Sequence, residues 1–398
     1  MLELDTLRGI AVSLVVCFHS FGFLYGINGL SGIPRVLVAL TLPGWARGES
    51  FLCAFRISDY RDIAGHEVTS NYYRRFYVRG ALRILPLYYA VLLLLLVLAR
   101  SGLVERHVSW SFLALSSVYL ANVTTLFGVP MQYGVLWSLA VEEHFYLLWP
   151  AVVHHLSRLN VIVCAGVIAA LCLLLRVLYC VLGHPVPGYT WLAADGLAMG
   201  AVLAAVARCS TEGRRNVRRF TGLAFASGLA LFAIGAPFGI VLARHFLGLT
   251  LRETALNLFF AGVVGLTLLV GTSKWRGIVN RPVFQFLGEI SYGVYLIHML
   301  VFEVVVHFIH RALPGLAPTA SHFRVMMLQF CIASCMTIGL AVLSRRYFEQ
   351  PFLNLKDRQK VAVPPLLAEA HKEDAECMMS AMWPHSQKAS LSQRRVSV

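Results

Sequence analysis

Three groups of charged and hydrogen-bonding side chains stand inside otherwise apolar stretches of this chain. The first is Leu4-Asp5-Thr6-Leu7-Arg8-Gly9-Ile10 with Phe18-His19-Ser20 behind it. Arg8 and His19 are eleven residues apart. Eleven helical steps of 100° return to within about 20° of the starting azimuth and climb about 16 Å. One helix would thus carry a guanidinium near its mouth and an imidazole about half a bilayer deeper, on the same stripe. An imidazole titrating near neutrality is suited to remove a proton from a hydroxyl. The plain alternative is an interfacial arginine and a packed, hydrogen-bonded histidine.

The second group is Arg79-Gly80-Ala81-Leu82-Arg83-Ile84-Leu85-Pro86. Arg79 and Arg83 are four apart and face the same way. Guanidinium forks suit phosphate oxygens; simple charge anchoring at a helix end is the competing reading. The third group is Leu136-Trp137-Ser138-Leu139-Ala140-Val141-Glu142-Glu143-His144-Phe145-Tyr146-Leu147-Leu148-Trp149-Pro150. A charge at bilayer depth costs about 2.5 kcal/mol or more, so two adjacent carboxylates need a reason. Helical spacing puts Glu142 with Ser138, Tyr146 and Trp149, and Glu143 with an apolar set. Glu142 is therefore the expected functional carboxylate, orienting the His19 ring as the acid does in a triad. Trp137, Ser138 and Tyr146 are the expected substrate contacts, the aromatics stacking on a sugar ring. A structural glutamate bonded to a neighbouring helix is the alternative. Lesser signals are Glu289–His298, with two tyrosines and a histidine in one apolar run, and Arg176 with Asp195, which can pair with each other.

These groups need a scaffold, and composition says which. Of 398 residues 58% are hydrophobic and only 14% charged, with a mean hydropathy of +0.69. A soluble domain carries about 25% charged residues. The class expected is all-α, a polytopic transmembrane helical bundle. Candidate spans are 7–25, a weak one at 36–57, then 80–99, 135–154, 161–182, 189–207, 221–243, 255–272, 283–309 and 325–344. The stretch 110–129 is polar enough to be ambiguous. If it does not cross, the arginine-rich loops near 61–75, 214–219 and 274–281 share one side with the tail from Arg345. If it crosses, that bias vanishes. Positive-inside bias therefore predicts about ten spans with both termini cytoplasmic, and 110–129 as a re-entrant or surface segment on the outer face.

The formal charge of +14 is placed in short loops, which argues for membrane orientation and no nucleic-acid partner. Nine cysteines, mostly within apolar runs, show no metal spacing, and no metal is expected. There is no P-loop, no G-x-G-x-x-G and no internal repeat. The start reads as a retained span rather than a cleaved signal. Residues 1–355 read as one membrane domain. Residues 356–398 read as a poorly ordered cytoplasmic tail, with no appended hydrolase-like domain.

The ordered set of motifs resembles the acyltransferase family 3 membrane proteins, O-acyltransferases of surface polysaccharides, nodulation factors and macrolides. The matching pieces are Leu4–Gly9 with His19, Arg83-Ile84-Leu85-Pro86-Leu87-Tyr88-Tyr89, Trp137–Pro150, Ile290–His298 and Tyr347-Phe348-Glu349-Gln350-Pro351-Phe352. The resemblance implies acyl transfer from cytoplasmic acyl-coenzyme A, acetyl by default, to a hydroxyl of a glycan or lipid-linked sugar in the cytoplasmic (inner) membrane. It carries functional roles to Arg8, His19 and Arg83. The sequence departs from the family in two places. Gly80 stands where a second adjacent arginine is usual, with Arg79 one residue earlier as the substitute. The second-span stretch Glu49-Ser50-Phe51-Leu52-Cys53-Ala54-Phe55-Arg56-Ile57 carries unusual charges. A glycolipid transporter or flippase is the competing class, and an inactive relative the third reading.

Overall fold

The computed structural model describes residues 2–23, 72–104, 107–207, 213–240, 246–270, 277, 281–312 and 323–358. The expected second span, 36–57, and residues 359–398 of the expected tail lie outside the described residues. Regular structure within them is helical. The long elements are α1 (Leu2–Cys17), α2 (Tyr72–Arg100), α4 (Leu136–His155), α5 (Arg158–Val181), α8 (Gly213–Gly235), α9 (Phe246–Val270), α11 (Ser291–Ala312) and α12 (Phe323–Leu343). Short ones are α3 (Trp110–Ser117), α6 (Thr190–Ala193), α7 (Asp195–Val206), α10 (Pro282–Glu289) and α13 (Gln350–Arg358). Wide π turns continue α1 over Phe18–Phe23 and α12 over Ser344–Glu349.

Among the described residues seven helical segments are long and apolar enough to cross a membrane. They coincide with the expected spans 7–25, 80–99, 161–182, 221–243, 255–272, most of 283–309, and 325–344. Helix α4 has the length, but Glu142, Glu143 and His144 dilute its hydropathy. Three expected elements divide. The stretch 189–207 breaks at Ala194, leaving α7 with 12 residues, or about 18 Å against a core of about 30 Å. The stretch 283–309 breaks at Ile290. The stretch 110–129 is α3 followed by a 3-10 turn over Ala121–Phe127, ended by Gly128 at φ 69°; it holds no helix of crossing length.

Local chemistry explains the ends. The Ser109 hydroxyl accepts from the Phe112 N–H and caps α3, and the Ser157 hydroxyl accepts from the Asn160 N–H and caps α5. Pro282 opens α10 at a position where its missing N–H is no loss. Ser291 Oγ donates to the Gly288 carbonyl at 2.7 Å, occupying a carbonyl that the break at Ile290 releases.

Two apolar cores form. One is built from α5, α7, α8 and α9 with the later half of α4. The other joins α1, α2, α3, α11 and α12 with the first half of α4. Helix α1 is clamped to α10 by two glycines in antiparallel register. A Cβ on Gly9 would sit 1.9 Å from the Phe284 carbonyl oxygen, and one on Gly288 would sit 2.0 Å from the Asp5 carbonyl oxygen. Only glycine allows backbones this close.

Candidate active site

Helix α1 keeps ordinary α geometry only to Cys17. The wider π turn after it carries His19, so the regular stripe expected between Arg8 and His19 ends two residues short of the imidazole. Such turns recur at functional positions because they re-aim one side chain. The ring meets α11: His298 Nε2 and His19 Nδ1 lie 2.8 Å apart, with ring centroids at 4.9 Å. His298 is fully buried. Its Nδ1 faces two backbone carbonyls, Tyr295 at 2.7 Å and Val294 at 3.2 Å. A narrow cleft borders the pair, lined by His19, His298, Met299, Phe302 and Glu303. Glu303 is five residues beyond His298 on α11, about 7.5 Å further along the axis.

Glu142 is buried on α4, and its charge acts on Tyr295 and Tyr119. One turn earlier, the Ser138 hydroxyl shares a short hydrogen bond with the Tyr295 hydroxyl, and Tyr295 lies on α11 beside His298, ring centroids 6.0 Å apart. The His19 ring thus has a hydrogen-bond partner in His298, and Ser138 approaches that residue through Tyr295.

The three expected substrate contacts do not converge. Ser138 faces Tyr295. Tyr146, two turns along α4, meets the Phe76 ring at 6.0 Å between centroids. Trp137 lies over the backbone at Gly188, where an added Cβ would be 2.5 Å from Cε3 of its indole.

The arginines gather differently. Arg8 Nη1 pairs with Asp5 Oδ1 at 2.9 Å, and Asp5 packs its backbone on Gly288. Glu349 in the second π turn accepts from Ser344 at 3.0 Å, lies 3.7 Å from Arg345 Nη1 and feels the charge of Arg83. A Cβ on Gly293 would lie 3.7 Å from Glu349 Oε1, and Tyr292 Oη donates to the Ile84 carbonyl at 2.9 Å. The junction Gly288–Gly293 thus draws Arg8 and Arg83 to one end of the bundle, with Arg79 a turn earlier on α2. Asp5 pairs with Arg8 and Glu349 with Arg345 there.

The tyrosines after Arg83 fasten the short segment. Tyr88 Oη donates to the Ser116 carbonyl at 2.6 Å and Tyr89 Oη to the Ser117 carbonyl at 2.9 Å. Tyr119, at φ 61°, stacks on Tyr88 with centroids 4.3 Å apart. Burial, reinforced by the charge of Glu143, pushes the Tyr119 phenol well above its ordinary range.

Arg176 and Asp195 do pair, at 2.6 and 3.2 Å. Arg176 also donates to the Leu192 carbonyl at 2.7 Å and Thr254 Oγ1 at 2.6 Å. Sequence reasoning left His298 among lesser signals and did not single out Glu303 or a role for Glu349. Position within Ile290–His298 was a usable signal for the first. Glu303, a lone charge in an apolar run, was a usable signal for the second. No local pattern placed Glu349 opposite Arg83.

The chain is similar to the peptidoglycan O-acetyltransferase OatA of Listeria monocytogenes, 23% identical over 381 residues, covering 88% of this chain and 55% of that protein. It is 30% identical over 159 residues to a putative peptidoglycan O-acetyltransferase, YrhL, of Bacillus subtilis, covering 37% of this chain and 23% of that protein. The matched part is thus little more than half of one relative and about a quarter of the other. No solved structure matches. The family model described as an acyltransferase domain (Acyl_transf_3) matches residues 1–346, and the chain belongs to that family of acyltransferases.

Proposed function

We propose that this protein is a membrane-embedded O-acyltransferase that moves an acyl group, acetyl by default, from acyl-coenzyme A to a hydroxyl of a glycan or lipid-linked sugar. It acts in the cytoplasmic membrane with both termini on the cytoplasmic side. The relatives' names make a peptidoglycan hydroxyl the first acceptor to try. The observation that carries the reading is the hydrogen-bonded imidazole pair, in a chain of this family.

His19 removes the proton from the acceptor hydroxyl. The oxygen attacks the thioester carbonyl, a C–O bond forms, and the C–S bond breaks. The departing thiolate takes the proton back from His19, so the ring ends as it began. Arg8, Arg79 and Arg83 hold the donor's phosphates; guanidinium forks toward one end of the bundle suit a polyanion. Glu142 supports the site through Tyr295, with Ser138. Trp137 and Tyr146 serve as outlying contacts for a long acceptor.

The test is acyl transfer from labelled acetyl-coenzyme A by membranes carrying the parent or His19→Ala, at matched folded amount. A loss of about 10²–10⁴-fold is expected. Undiminished transfer by the variant sinks the reading.

A further inference from the structure

We infer that His298 is a positioning residue that fixes the tautomer of His19. The inference rests on the proposed role of His19 as base, and deepens it. The direction of each hydrogen bond follows from the groups present. The carbonyls of Tyr295 and Val294 only accept, so His298 Nδ1 carries a proton. A neutral His298 then has its lone pair on Nε2. The 2.8 Å contact from that nitrogen to His19 Nδ1 requires His19 to donate. The proton of neutral His19 therefore sits on Nδ1, and Nε2 carries the lone pair that a base needs.

The same bond persists through turnover. When His19 Nε2 takes a proton, the imidazolium still donates through Nδ1 to His298 Nε2, now as a charge-assisted bond. A triad gives this task to a carboxylate. Here a neutral imidazole backed by a helix carbonyl does it, and in the resting state no ion need be desolvated between α1 and α11. The break at Ile290 supports the arrangement: it separates α11 from α10, so α1 can be clamped to α10 by Gly9 and Gly288 while α11 presents His298 to the π turn.

Solid-state NMR of ¹⁵N-histidine-labelled protein in lipid reads the tautomer whether or not the enzyme turns over. A protonated Nδ1 and an unprotonated Nε2 on His19 are expected at mildly alkaline pH; the opposite tautomer in the parent overturns the inference. Two substitutions separate positioning from packing. In His298→Gln the side-chain oxygen can replace Nε2 as acceptor, and kcat should stay within about tenfold of the parent. His298→Met fills similar volume without a comparable acceptor, and kcat should fall about 10²–10⁴-fold with the KM for acetyl-coenzyme A unchanged. Equal kcat values for these two variants would overturn the inference. Retention of activity by His19→Ala together with the expected tautomer would defeat the base reading and leave the positioning geometry standing.

Discussion

Two buried polar pairs divide this molecule between them, and they are built to opposite ends. Arg176 and Asp195 lie in the core of α5, α7 and α9, 0% and 2% exposed. Both carboxylate oxygens bond to the guanidinium, which also ties down a carbonyl and a threonine from two other elements. The pair occupies the place where the chain breaks at Ala194 and α7 begins. His19 and His298 lie in the other core, on a π turn and the middle of α11, beside a cleft. In the proposed tautomers their hydrogen bonds run in one direction, with the His19 lone pair on Nε2. The first arrangement consumes its polar groups in holding the fold; the second uses the fold to aim one nitrogen. Burial alone does not mark a site in this protein; how the bonds are directed does.

The contrast is most sharply tested by breaking the ion pair. Asp195→Leu leaves a guanidinium uncompensated and should destabilise the protein by about 3–5 kcal/mol, read as lost folded yield or a lower unfolding midpoint in detergent. Adding Arg176→Met should restore most of that stability with acyl transfer intact; recovery of the fold without activity would show that this region also serves chemistry. Gly9→Ala comes next. The methyl meets the Phe284 carbonyl at 1.9 Å, so α1 must shift, at about 1–3 kcal/mol. Because α1 carries His19, activity should fall together with the midpoint. The smallest effect is expected from Ser157→Ala, which removes the α5 cap at about 1 kcal/mol. Transfer per folded molecule should not change, which makes this variant the control for stability loss in the structural half.

Much of the bundle was legible because apolar length is a local property. The spans 80–99, 161–182 and 255–272 are where they were read. The breaks at Ala194 and Ile290 were not legible, since apolar residues run through both. They exist because Arg176 reaches the Leu192 carbonyl beside one, and because Asp5 and Glu349 pack against glycines on either side of the other. Ser138 and Glu142 are both buried on α4. The Tyr295 hydroxyl that meets Ser138 was not legible, because helical periodicity says which residues share a face and nothing about which helix lies opposite.

The amino-acid order by itself determined that this is a helical membrane protein, and that Arg8, His19, Arg83 and Glu142 stand out as costly charges or bases in apolar surroundings. It could do so because desolvation cost depends on residue type and neighbours along the chain. The tertiary structure alone decided that His19 bonds to His298, 279 residues away, and that Glu349 comes within electrostatic reach of Arg83. A hydrogen bond needs two groups within about 3 Å at a workable angle. Only the packing of α1, α2, α11 and the turn after α12 supplies that proximity.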